Sequence, residues 1–106
     1  MRPSIEVEIE FSILADGIRA VVPLANGSYR PHVRVGPVGA YMGVCLVGGG
    51  ELALGRRCVA TFSLMYAGVD YSSLQPGVEF DILEGARVVG SGIVKRSSAE
   101  TQGAMT

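Results

Sequence analysis

Ile5-Glu6-Val7-Glu8-Ile9-Glu10-Phe11-Ser12-Ile13 alternates apolar and polar residues without a break. Successive side chains of an extended chain point to opposite sides, so this period of two predicts a strand with one buried and one wetted face. Three glutamates on the wet face also oppose edge-to-edge association. Ala15-Asp16-Gly17 punctuates the run.

The same pattern continues outward in shorter pieces. Ile18 to Leu24 is rich in β-branched residues and predicts a second strand, closed by Asn26-Gly27-Ser28. Tyr29-Arg30-Pro31-His32-Val33-Arg34-Val35 predicts a third, with Pro31 at its start or on an edge because it has no amide to donate. Gly36-Pro37-Val38-Gly39 is turn chemistry. Tyr41 to Val47 is an apolar run of strand length, ended by Gly48-Gly49-Gly50, and Leu52-Ala53-Leu54-Gly55 is a weak signal. Arg57 to Tyr66 predicts a long strand with Cys58, Ala60, Phe62 and Leu64 on one face. Gln75-Pro76-Gly77 turns the chain into Val78, Phe80 and Ile82, which alternate with Glu79 and Asp81. Glu84-Gly85-Ala86-Arg87 then predicts a tight hairpin loop before a last strand, Val88 to Val94. No stretch has a helical period. Short strands with regular turns predict an all-β sandwich or barrel.

The 106 residues suit one domain, with 48% hydrophobic and 18% charged residues, as in a folded globular chain. We expect a single domain over 1–96 and a flexible polar tail over 97–106. No apolar run is long enough to span a bilayer as a helix, and the acidic start is unlike a signal peptide, so a cytoplasmic setting without a membrane is expected. A net charge of −1 does not advertise nucleic-acid binding, although a local basic patch is compatible with it.

Few residues suggest chemistry. A phosphate loop needs a lysine after its glycines and a helix to follow, but Glu51 follows Gly48 to Gly50. His32 is the only histidine, and no base stands near Ser72, Ser73, Ser97 or Ser98 in the sequence. Glu79, Asp81 and Glu84 read as a solvated strand face. Cys45 and Cys58 are too few for a zinc signature and read as small core residues, with a disulfide open only if their strands are neighbours. No catalytic residue, metal or cofactor is expected. Arg30, His32 and Arg34 alternate and should project from one strand face. Arg56 and Arg57 open another strand, and Arg87, Lys95 and Arg96 belong to the final hairpin. Such a stripe fits phosphate contacts or an ordinary solvated exterior.

The stretch from Gln75 to Val94 resembles the closing hairpin of the C-terminal barrel domain of elongation factor Tu, whose pattern runs Gly-x-Arg-Phe-x-Ile-Arg-Glu-Gly-Gly-Arg-Thr-Val-Gly-x-Gly-x-Val. Phe80, Ile82, Glu84, Gly85, Arg87, Val89, Gly90, Gly92 and Val94 fall in register with it. Tyr29-Arg30-Pro31-His32 is similar to the family's Tyr-Arg-Pro-Gln, and the opening strand is similar to its Glu-rich first strand. The resemblance covers about residues 5 to 96, the middle mainly by pattern. It implies a closed six-stranded antiparallel β-barrel standing alone, without GTPase or middle barrel, and therefore without nucleotide. It also implies contacts to the tRNA T-stem backbone at His32, Glu84 and Gly85.

There are departures. His32 replaces the glutamine, Ala86 replaces the second glycine of the hairpin and so restricts that turn, and Ala20-Val21-Val22-Pro23 stands where the family has His-Thr-Pro-Phe after Gly-Gly-Arg. Two functions follow as expectations. One is a non-enzymatic RNA- or tRNA-binding module using Arg30, His32, Arg34, Glu84, Gly85 and Arg87. The other is a protein-interaction module that mimics the elongation factor barrel toward a factor, toxin or nuclease. A face covered by other domains in the family would here suit a homodimer.

Overall fold

A computed structural model describes residues 3–12, 27–49, 52–53, 55–64 and 66–97. Its elements are all strands: β1 (Ser4–Phe11), β2 (His32–Arg34), β3 (Met42–Gly43), β4 (Cys45–Gly49), β5 (Cys58–Ser63), β6 (Glu79–Glu84) and β7 (Arg87–Ser97). They form one antiparallel sheet in the order β3-β2-β6-β7-β1-β5-β4, curled into a half-barrel. The strand expected over Ile18 to Leu24 lies outside the described residues.

The opening alternation is realised along its described length. Ile5, Val7, Ile9 and Phe11 are buried, while Glu6, Glu8 and Glu10 face outward. β1 is central, pairing with β5 on one side and β7 on the other, so its apolar row forms the spine of the core. Val33, Met42, Val44, Leu46, Ala60, Phe62, Phe80, Ile82, Val89 and Val94 pack onto that row.

The expectation of a closed barrel of six strands is met only in its coarser form. The run from Tyr41 to Val47 is two strands, broken at Val44, and these lie at opposite ends of the sheet order. At the break, the Val44 amide donates to the Pro31 carbonyl (3.0 Å) and the Leu46 amide to the Tyr29 carbonyl (2.9 Å). The Gly27 amide returns a bond to the Leu46 carbonyl (2.9 Å). The segment just before β2 therefore lies beside β4. β4 runs on through Gly48 and Gly49, where the sequence predicted a loop. β5 is shorter than expected and ends at Ser63, whereas Ser97, assigned to the tail, is a buried residue of β7.

The β6–β7 hairpin also explains Ala86. Glu84 pairs with Arg87, which leaves Gly85 and Ala86 as a two-residue loop. Only Gly85 has a positive φ (62°). That is the requirement of a type II′ turn, which needs left-handed backbone at its first central residue alone, so a second glycine is dispensable.

Cys45 and Cys58 are free and buried. Their strands are neighbours, but Cys45 lies opposite Ser63, five residues along β5 from Cys58. At ~3.3 Å per residue that places them roughly 16 Å apart, beyond the reach of a disulfide.

Candidate nucleic-acid interface

The pairing of β2 with β6 decides which candidate residues meet. His32 lies opposite Leu83 and Arg34 opposite Asp81. Two residues before His32 and one after Leu83, the chain reaches Arg30 and Glu84, so Arg30, His32, Glu84, Gly85 and Arg87 gather around one end of the sheet. Arg30, His32, Gly85 and Arg87 are exposed.

Two of the expected contacts are committed inside the chain. The Tyr29 hydroxyl donates to Glu84 Oε2 at 2.6 Å, and the Tyr29 ring packs edge-on against Phe11 (5.9 Å between centroids). Glu84 is thus tied to the core through Tyr29. Arg34 pairs with Asp81 (Nη2 to Oδ2, 3.5 Å), and its Nε is buried without a hydrogen-bond partner. Arg30 has only a long contact from Nε to the Gly27 carbonyl (3.4 Å).

β3 adds residues that the sequence reading did not single out. His32 lies opposite Gly43, and the same register sets Tyr41 beside Arg34. The Arg34 guanidinium carbon stands 5.7 Å from the centre of the Tyr41 ring, within cation–π range, and the His32 and Tyr41 rings are 5.8 Å apart. Tyr66 lies over Gly43: a Cβ there would come within 2.7 Å of its Cε2 and 2.9 Å of its Cδ2. Tyr71 holds this arrangement from beneath, donating its hydroxyl to the Gly43 carbonyl at 2.6 Å and accepting from the Tyr66 amide at 3.3 Å. Tyr41, Tyr66 and Val88 are each more than 40% exposed. The clue in the sequence was the alternation of Met42, Val44 and Leu46, which turns Tyr41 and Gly43 to the opposite face.

No protein-family model matches the chain, and no curated protein matches it significantly.

Charge is unevenly spread over the outer surface. Around the hairpin end, Arg30, Arg34 and Arg87 meet Asp81 and Glu84, both of which have partners. On β1 the acids dominate, with Glu6 paired to Arg96 (3.4 Å) and Glu8 to Arg57 (3.6 Å). These are surface pairs, each worth at most ~1 kcal/mol, and they set potential rather than stability. Among the described residues no group of three or more His, Cys, Asp or Glu side chains could hold a metal ion.

Burial raises the Tyr71 phenol above its ordinary value, partly offset by the bond from the Tyr66 amide. A raised value in the folded state means that the neutral phenol's contribution is complete below pH ~10 and is lost as pH climbs through and beyond it. Thermal denaturation of the wild type should therefore weaken above about pH 10 more steeply than that of Tyr71→Phe. Equal alkaline slopes for the two proteins would remove Tyr71 as the cause.

Proposed function

We propose that this chain is a non-enzymatic RNA-binding module, related to the C-terminal barrel of elongation factor Tu, that grips an RNA backbone at the β6–β7 hairpin end. The observation that carries it is the register of β2 on β6, which sets exposed His32 opposite Leu83 beside the glycine turn at Gly85, with exposed Arg30 two residues before His32 in the chain and exposed Arg87 directly after the turn. Guanidiniums reach phosphate oxygens bidentately, and a turn with a glycine lets an RNA backbone come close without reading its sequence. Kinship with the elongation factor barrel is supported by the hairpin motif. The bonds between 27–31 and 44–46 support it too, since counting β3 and β4 as one strand would complete a circuit of six. A cytoplasmic setting and a tRNA ligand belong to the same proposal.

Two phosphate contacts predict a modest, salt-sensitive affinity. Raising salt from ~50 to ~200 mM should weaken tRNA binding roughly tenfold, and Arg30→Ala with Arg87→Ala should flatten that dependence. Absence of binding at low salt would reject the proposal.

A second reading, a protein-interaction module, is favoured by the half-exposed Val88 and Tyr66 and by the neutralisation of Arg34 by Asp81. Tyrosine and arginine are enriched in protein hot spots, and an exposed aliphatic side chain beside them gains by burial under a partner. Recovery of a stoichiometric protein without RNA, lost in Val88→Asp, selects it.

A further inference from the structure

The chain has four tyrosines and three phenylalanines. All three phenylalanines are buried, and Tyr29 and Tyr71 pack against the core with their hydroxyls donating inward. The remaining two, Tyr41 and Tyr66, are 44% and 41% exposed; the Tyr41 ring lies beside His32, and Tyr66 covers Gly43, the residue opposite His32. An exposed ring held on a paired strand loses little entropy on binding, because its backbone is already fixed. Tyr41 directly precedes β3, whose Met42 and Gly43 pair with β2, and its ring is held by the Arg34 guanidinium over it and the His32 ring beside it.

We propose that Tyr41, backed by Arg34 and flanked by His32 and Tyr66, is a stacking platform for one unpaired nucleobase. The proposal rests on the RNA-binding function above and narrows it: the RNA must present an unstacked base beside the backbone held by Arg30 and Arg87. Every nucleobase has a π-face, and aromatic rings interleaved with guanidiniums accept such faces with little regard to sequence. A blunt A-form duplex offers none, since its bases are stacked within the helix. The charge favours the same occupant. Exposed Arg30 and Arg87 stand on this side, where Asp81 is taken up by Arg34 and Glu84 accepts from Tyr29, whereas Glu6, Glu8 and Glu10 project from β1, which β6 and β7 separate from β2.

Fluorescence anisotropy with three labelled RNAs tests this: a blunt duplex, the same duplex with a short single-stranded overhang, and the single strand alone. The overhang RNA should bind about tenfold tighter than the blunt duplex, and Tyr41→Leu should cost about 5- to 100-fold on the overhang RNA while leaving the blunt duplex unchanged. Tyr41→Phe should retain the affinity, and circular dichroism confirms that both variants fold. Equal affinity for blunt and overhang RNA, or an unaffected Tyr41→Leu, overturns the platform and leaves the backbone-binding function standing. Failure of every RNA at low salt overturns both. A wild-type dimer in light scattering that Tyr41→Leu dissociates assigns the face to a second copy of the chain and also overturns the platform.

Discussion

Gly92→Val should leave the chain unable to fold stably. Gly92 lies where β7 is squeezed between β1 and β6, opposite Ile9 on one side and Phe80 on the other. A Cβ at this position would stand 2.6 Å from the Glu8 carbonyl oxygen and 2.7 Å from both Ile9 Cγ2 and Phe80 Cζ. One of these neighbours is backbone and cannot move without breaking the β1–β7 ladder. The others are core atoms packed at crystal-like density. Overpacking alone costs ~1–3 kcal/mol, and parting the two central strands adds to it. A domain of this size has roughly 5–15 kcal/mol of stability in all, so most of it should disappear. The measurement is urea denaturation followed by circular dichroism, with Ser91→Ala as the neighbouring control. Ser91 is exposed, and that change should stay within ~0.5 kcal/mol. A Gly92→Val protein with an unshifted midpoint would mean that β7 does not approach β1 this closely.

The sequence carried this tight spot only in part. Gly90 and Gly92 interrupt the last strand expected from the sequence, but which strands approach them is a matter of pairing, and pairing is not local. β1 was legible because its alternation is long and uninterrupted, and burial of one full face leaves no second register. The hairpin was legible because a two-residue turn fixes the pairing of the strands it joins. The gathering of Arg30, His32, Glu84, Gly85 and Arg87 needed one more fact, the register of β2 on β6. Local chemistry could not have supplied that register, because it is set by which strands pair.

What escaped the sequence shares a physical cause. Tyr41 opens an apolar run of strand length, in which the alternation of Met42, Val44 and Leu46 hints at an outward face but only the pairing of β2 with β3 sets its ring beside Arg34. Tyr66 closes on Gly43 from more than twenty residues away along the chain, a contact that no short-range pattern encodes. Glu84 was read as a solvated or RNA-facing acid, yet it accepts from Tyr29, 55 positions earlier. Asp81 was read as part of a solvated strand face, yet its register on β2 makes it the partner of Arg34. Solvent-facing side chains leave little periodic trace, because water accepts nearly any polar choice, whereas the core row must be apolar at every second position.

Phe62→Ala is expected to cost ~3–5 kcal/mol. Phe62 is fully buried one residue before the end of β5, opposite Ile5 of β1 and Leu46 of β4, so its ring sits where three strands converge. It meets Phe80 of β6 edge-on, with centroids 6.3 Å apart and planes at 66°, which joins the two sides of the curled sheet across the core. Removing the ring loses its transfer energy, the edge-to-face contact of ~0.5–1.5 kcal/mol and the packing around the cavity left behind. Relaxation can refund little, because Ile5, Leu46 and Phe80 are each held in paired strands. Phe62→Leu keeps much of the volume and should lose distinctly less. The urea midpoint should fall in that order, with the slope of the transition unchanged, since the surface exposed on unfolding is nearly the same in all three proteins. If Phe62→Ala cost under ~1 kcal/mol, as at an exposed site, the ring would not bridge the two halves of the sheet, and the inward curl that brings β2 and β6 to the candidate interface would lack its central support.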